Sequence, residues 1–156
     1  MSTNATEPGW QSLAILVARL IFAAVFLMAA VFKFLGMADT ATYIAAAGFP
    51  FPLLLAWLAA IFEILLVICF LSGAFFTEAA LLAAVYVLFL NFAFHGPSHW
   101  EGNQAEFGFF VDHFSFFAGL LFAAVHGPGR IALRWTLAGL AQPLAPGRDP
   151  RPVPGQ

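Results

Sequence analysis

Arg19, Lys33, Glu63, Asn91, His95, Asp112 and His113 are the residues whose types could do chemistry, and each lies inside or at the end of a long apolar run. Lipid makes such side chains costly, so each needs a partner. Arg19 and Glu63 carry opposite charges and are expected to form an intramembrane ion pair that fixes helix register or serves a proton or ligand role. Lys33, Asn91, His95, Asp112 and His113 are expected to gather as a polar cluster. Imidazoles beside a carboxylate invite a metal, since they bind Zn, Cu and Fe. The spacing matches no known ligand motif, so no metal site is assigned. The same donors would suit the carbonyls of a quinone headgroup in a small pocket. A third reading is a satisfied polar cluster that only sets packing.

These residues need elements to position them, and composition defines the elements. Hydrophobic residues make up 62% of the 156, charged residues 9%, and mean hydropathy is +0.91. A small soluble fold keeps too much surface wet to hide that apolar fraction. The chain must therefore use lipid as solvent. A net charge of −2 offers no basic excess for nucleic acid. Cys69 is the only cysteine, so it forms no internal disulfide or CxxC pair, and it reads as inert packing.

The apolar runs predict spans over 13–35, 53–71, 77–95 and 107–125, an all-α four-helix membrane bundle within 13–126. The first run begins after a polar stretch, 1–12, with no Lys or Arg, and at about 1.5 Å per residue it can cross the hydrocarbon core. Between the first two spans, Asp39 reads as an N-cap for a short interfacial helix over Thr40–Ala47, closed by Gly48. Arg130, Arg134 and Trp135 predict a cationic interfacial helix within 127–142. The proline-rich tail, 143–156, is expected to lack a core of its own.

Helical periodicity then assigns faces. Arg19, Ala23, Phe26, Ala30 and Lys33 share a stripe on the first span; Ala56, Ala59, Glu63, Val67 and Phe70 share one on the second. The third carries Ala80, Ala84, Val87, Asn91 and His95, the fourth Asp112, Ser115, Gly119 and Ala123. Small residues let membrane helices approach closely, so these stripes are expected to face inward. Tyr86 reads as an interior or interface aromatic, and the 20 phenylalanines as lipid-facing and packing bulk. Arg130, Arg134, Arg148 and Arg151 cluster after the last span, which puts both termini in the cytoplasm.

The order and spacing of several pieces resemble the DoxX family. They are Arg19 in the first apolar helix, the Lys33-Phe34 pair closing it, the 40–52 segment ending in Gly48-Phe49-Pro50-Phe51-Pro52, Glu63, the Ser72-Gly73 break, Phe94-His95 and the Ala118–Leu121 run. The resemblance covers about 13–125 and implies a multi-pass inner-membrane protein. Some members are named as subunits of quinone-linked oxidoreductases, including thiosulfate:quinone oxidoreductase, and others belong to oxidative-stress systems. It carries over to Arg19, Lys33, Glu63 and His95. Where similar proteins often show Lys-Asn, this chain has Asp112-His113.

The expected function is an accessory or anchor subunit of a membrane redox system, with quinone as a ligand and a membrane or periplasmic redox protein as partner. Homo-oligomers fit the same description. The alternatives are a non-catalytic scaffold or assembly factor and a small transporter. No nucleophile–base pair, phosphate loop or haem-attachment motif marks an independent catalytic centre.

Overall fold

The computed structural model describes residues 9–133. Its elements are α1 (Gly9–Leu35), α2 (Met37–Ala46), α3 (Pro52–Ser72), α4 (Phe76–His95), a single 3-10 turn (Pro97–His99) and α5 (Gln104–His126). α1, α3, α4 and α5 are each long and apolar enough to cross a membrane. Helix is the form that apolar sequence must take in lipid, because it satisfies its backbone internally. The 27 residues of α1 extend about 40 Å, so it crosses with length to spare.

The breaks between helices have local causes. Pro52 opens α3 at a position where its missing N–H is no loss. Gly73 closes α3 in the left-handed region, φ +77°, and its N–H bonds the Cys69 carbonyl. Only a short turn then separates α3 from α4, which forces the two to run antiparallel. α2 begins at Met37, earlier than the sequence suggests, so Asp39 lies in its first turn and Gly36 occupies the cap.

α1 packs chiefly on α3, α4 packs chiefly on α5, and α2 lies against α3. Phe26 stacks on Phe70, and Lys33 meets Glu63 seven residues further along each helix in opposite directions. That places α1 and α3 in one antiparallel register. The centre is a phenylalanine layer in which Phe22, Phe26, Phe70, Phe76 and Phe116 contact one another in tilted, stacked or edge-on pairs. Ala79, Ala80, Ala83 and Ala84 of α4 are buried beside this layer. Large apolar side chains such as Leu35, Phe122 and Val125 point outward, as lipid solvation requires.

The inward stripes of the first three spans match the periodicity: Arg19, Ala23, Phe26 and Ala30 are buried, as are Ala56, Glu63, Val67 and Phe70, and Ala80, Ala84, Val87 and Asn91. α5 differs. Its buried residues are Leu120 and Ala124, while Asp112 and Ser115 are exposed. The alanines of α4 already provide the smallness that close approach needs, so α5 can turn a bulky leucine inward.

The chain after α5 also differs from expectation. Residues 127–133 are bends rather than helix. They fold back so that the Leu133 N–H bonds the Ser72 carbonyl. The rest of the expected interfacial helix and the proline-rich tail lie outside the described residues.

Candidate functional site

The expected Arg19–Glu63 pair does not form; each residue has other partners. Arg19 lies one end of the bundle away from Glu63, across the phenylalanine layer. Its Nε donates to the Phe70 carbonyl at 3.0 Å and its Nη2 to the Leu71 carbonyl at 2.8 Å. Its Nη1 donates to the carbonyls of Pro128, at 3.1 Å, and of Ile131. The guanidinium therefore caps the C-terminal end of α3, where carbonyls lack helical partners and the dipole favours a cation. It also ties the segment after α5 to that end. Phe76 lies beneath it, 5.9 Å from the guanidinium carbon to the ring centre.

At the opposite end, α1 presents Lys33 in its last turn and α3 presents Glu63, which is 1% exposed. Lys33 Nζ lies 2.7 Å from Glu63 Oε1, and the Tyr86 hydroxyl of α4 donates to the same oxygen at 2.9 Å. Glu63 Oε2 is buried without a hydrogen-bond partner. The carboxyl group thus has an ammonium and a phenol on one oxygen, two hydrogen-bond donors converging in a dry setting.

α4 and α5 complete this end. The His95 Nδ1 and Glu106 Oε2 atoms are 2.6 Å apart. The His113 ring lies 4.9 Å from the His95 ring, and its Nδ1 is 2.7 Å from the Phe109 carbonyl. The Trp100 indole N–H donates to the His95 carbonyl at 2.9 Å, fixing the turn after α4. Tyr43 of α2 stacks on Phe94. Burial first, and the Glu106 carboxylate second, push the Tyr43 phenol above its ordinary pKa.

These side chains enclose a cavity of about 460 Å³, open on one side and lined by Lys33, Tyr43, Tyr86, Phe94, His95 and His113, with Asp39 and Thr40 at α2. A second cavity of about 310 Å³ shares Tyr86, Leu90 and Phe94 with it and is otherwise apolar, with Phe49, Phe62 and Phe89 in its wall. Of the expected cluster, Lys33, His95 and His113 meet at the first cavity. Asn91 does not line it; its Nδ2 donates to the Phe110 carbonyl at 3.1 Å and pins α4 to α5. Asp112 is on the exposed face of α5, one helical step from His113. Among the described residues, no group of three or more His, Cys, Asp or Glu converges to hold a metal.

Tyr43 and Tyr86 join the site although neither belongs to the expected cluster. Tyr86 carries a signal: its phenol falls within a span, and a buried phenol needs an acceptor. Glu63 supplies it.

Residues 14–96 match the DoxX family. The chain belongs to the DoxX family. The match runs from α1 to the end of α4, so it includes Arg19, Lys33, Glu63, Tyr86 and His95 and stops before α5. This DoxX chain is also similar to the inner membrane protein YphA of Escherichia coli (strain K12), at 29% identity over 123 residues, 76% of this chain and 86% of the relative. No solved structure matches it. It is a multi-pass membrane protein.

Proposed function

We propose that this DoxX protein is a membrane-embedded subunit of a redox system and binds a quinone, or its reduced form, in the cavity at the α2 end. The cavity carries this reading. It sets a lysine and imidazoles in a wall of mixed aromatic and aliphatic side chains, the pattern of a site that orients a flat polar ring. The apolar second cavity beside it suits the start of an isoprenoid tail. The bilayer supplies such ligands.

The relative YphA is named an inner membrane protein, and the same membrane is proposed here. The arginines after α5 support cytoplasmic termini, so the cavity would lie in the outer part of the bilayer. A periplasmic or membrane redox protein would then be the natural partner.

A second reading, a scaffold, is favoured by the internal pairing of Lys33 with Glu63 and of His95 with Glu106. A transport route is disfavoured by the phenylalanine layer between Glu63 and Arg19.

The test is binding of a short-tailed benzoquinone and its hydroquinone to the full chain in lipid nanodiscs, read by tryptophan fluorescence and calorimetry. Saturable binding of either that Tyr86→Trp abolishes supports the quinone site. A folded wild-type protein that binds neither form leaves the scaffold reading.

A further inference from the structure

The polar groups around the cavity share a property that follows from their hydrogen bonds. Each of several has already given away the hydrogen it could offer a ligand. Thr40 Oγ1 donates to the Gly36 carbonyl at 3.0 Å. The Tyr86 hydroxyl donates to Glu63. His113 Nδ1 faces the Phe109 carbonyl, which can only accept, so that nitrogen carries the proton and Nε2 of the neutral ring holds a lone pair. His95 Nδ1 faces the Glu106 carboxylate and gives its hydrogen there. Asp39, also in the wall, is acceptor-only when ionised.

Against these acceptors, the cavity offers two donors, the Tyr43 hydroxyl and the Lys33 ammonium. Two of the directions open to that ammonium are taken by Glu63 at 2.7 Å and the Ala29 carbonyl at 3.5 Å, which leaves one N–H. The cavity is therefore richer in acceptors than in donors.

A quinone brings two carbonyl acceptors and no donor. A hydroquinone brings two hydroxyl donors, and each oxygen can still accept. Resting on the quinone-site reading above, we infer that the cavity selects the reduced, hydroxyl-bearing ring over the quinone. One hydroxyl hydrogen goes to the His113 Nε2 or the Tyr86 oxygen, and the ligand oxygens accept from Lys33 and Tyr43. A quinone in the same place leaves desolvated acceptors facing its carbonyl oxygens. Unsatisfied buried polar groups of that kind lower affinity by about tenfold each.

The experiment uses the full chain in lipid nanodiscs under anaerobic conditions. Three probes share one ring: a methyl-substituted hydroquinone, its quinone and its dimethyl ether. The ether keeps the oxygens and removes both donors, and it does not change redox state. The expected result is that the hydroquinone binds at least about tenfold more tightly than both others. Thr40→Val and His113→Phe each remove an acceptor and are expected to narrow that ratio, and His113→Phe should have the larger effect. Equal or tighter binding of the quinone or the ether overturns donor selection and leaves the quinone site standing. No binding of any probe to folded protein overturns the site itself, and donor selection with it.

Discussion

Lys33 of α1 and Glu63 of α3 are held 2.7 Å apart by their side chains, with Glu63 sealed from solvent and Lys33 reaching the cavity. A buried carboxylate depends on that cation. Lys33→Met should destabilise the protein by about 3–5 kcal/mol, because it leaves a buried charge without its partner. Adding Glu63→Gln should restore most of the loss, since the amide oxygen can still accept from Tyr86. Thermal unfolding in detergent measures both. A double variant no more stable than Lys33→Met would show that the pair is not coupled in this way.

Arg19 predicts a different pattern, because its partners are carbonyls rather than a carboxylate. Arg19→Met should cost on the order of 3 kcal/mol and release residues 127–133. Arg19→Lys should rescue little, because an ammonium lacks the planar fork that reaches both α3 and the returning segment. Trypsin cleavage after Arg130 reports the release: it should speed up in both variants. Wild-type cleavage rates in Arg19→Lys would contradict the fork argument.

Gly73 and Gly48 separate two causes of glycine preference. Both have positive φ, +77° and +83°. A Cβ at Gly48 meets nothing within 4 Å, whereas one at Gly73 would lie 2.4 Å from the Ala132 Cβ. Gly48→Ala should cost about 1 kcal/mol from backbone strain alone. Gly73→Ala should cost more, and Ala132→Gly in the same chain should recover part of the excess but not the strain, because the new Cβ still lies 3.0 Å from Arg19 Nη2 and 3.2 Å from the Cα of residue 132. Melting temperatures of the four proteins test this.

Tyr43 provides a titration outside the spans. Burial and Glu106 raise its phenol, so the folded chain favours the neutral form. The stability it contributes is full below the unfolded pKa of about 10 and is lost as pH rises through the higher folded value. Glu106→Gln should lower the folded value part of the way, because burial remains. Ultraviolet titration in a Tyr86→Phe background isolates the group. An unchanged midpoint in Glu106→Gln would remove the electrostatic contribution.

Much of the fold was readable because lipid imposes simple rules. Long apolar runs, glycine and proline breaks and small-residue stripes led to the four spans, the short helix between the first two and the inward faces of α1, α3 and α4. What a stripe does not contain is how far one helix slides along the next. Arg19 and Glu63 both face inward, but the α1–α3 register sets Glu63 beside Lys33 and Arg19 beside the last turn of α3. The segment after α5 was illegible for a related reason. Its backbone carbonyls, not its side chains, are what Arg19 recognises, and carbonyls leave no trace in residue type. Asp112 shares a stripe with small residues, yet it faces outward because α5 orients by Leu120 and Ala124 against an alanine surface.

The arginine clasp also has a consequence in time. Arg19 is made early, and two of its acceptors, on Pro128 and Ile131, follow 109 and 112 residues later. While the chain is being threaded into the bilayer, the first helix carries a cation whose full set of acceptors does not yet exist. Only when the last helix has crossed and the chain has turned back can that charge be satisfied. A product that stalls after α4 keeps an exposed, half-bonded arginine in its first helix. Completion of synthesis is thereby written into the first span, as a mark that membrane quality-control proteases could read.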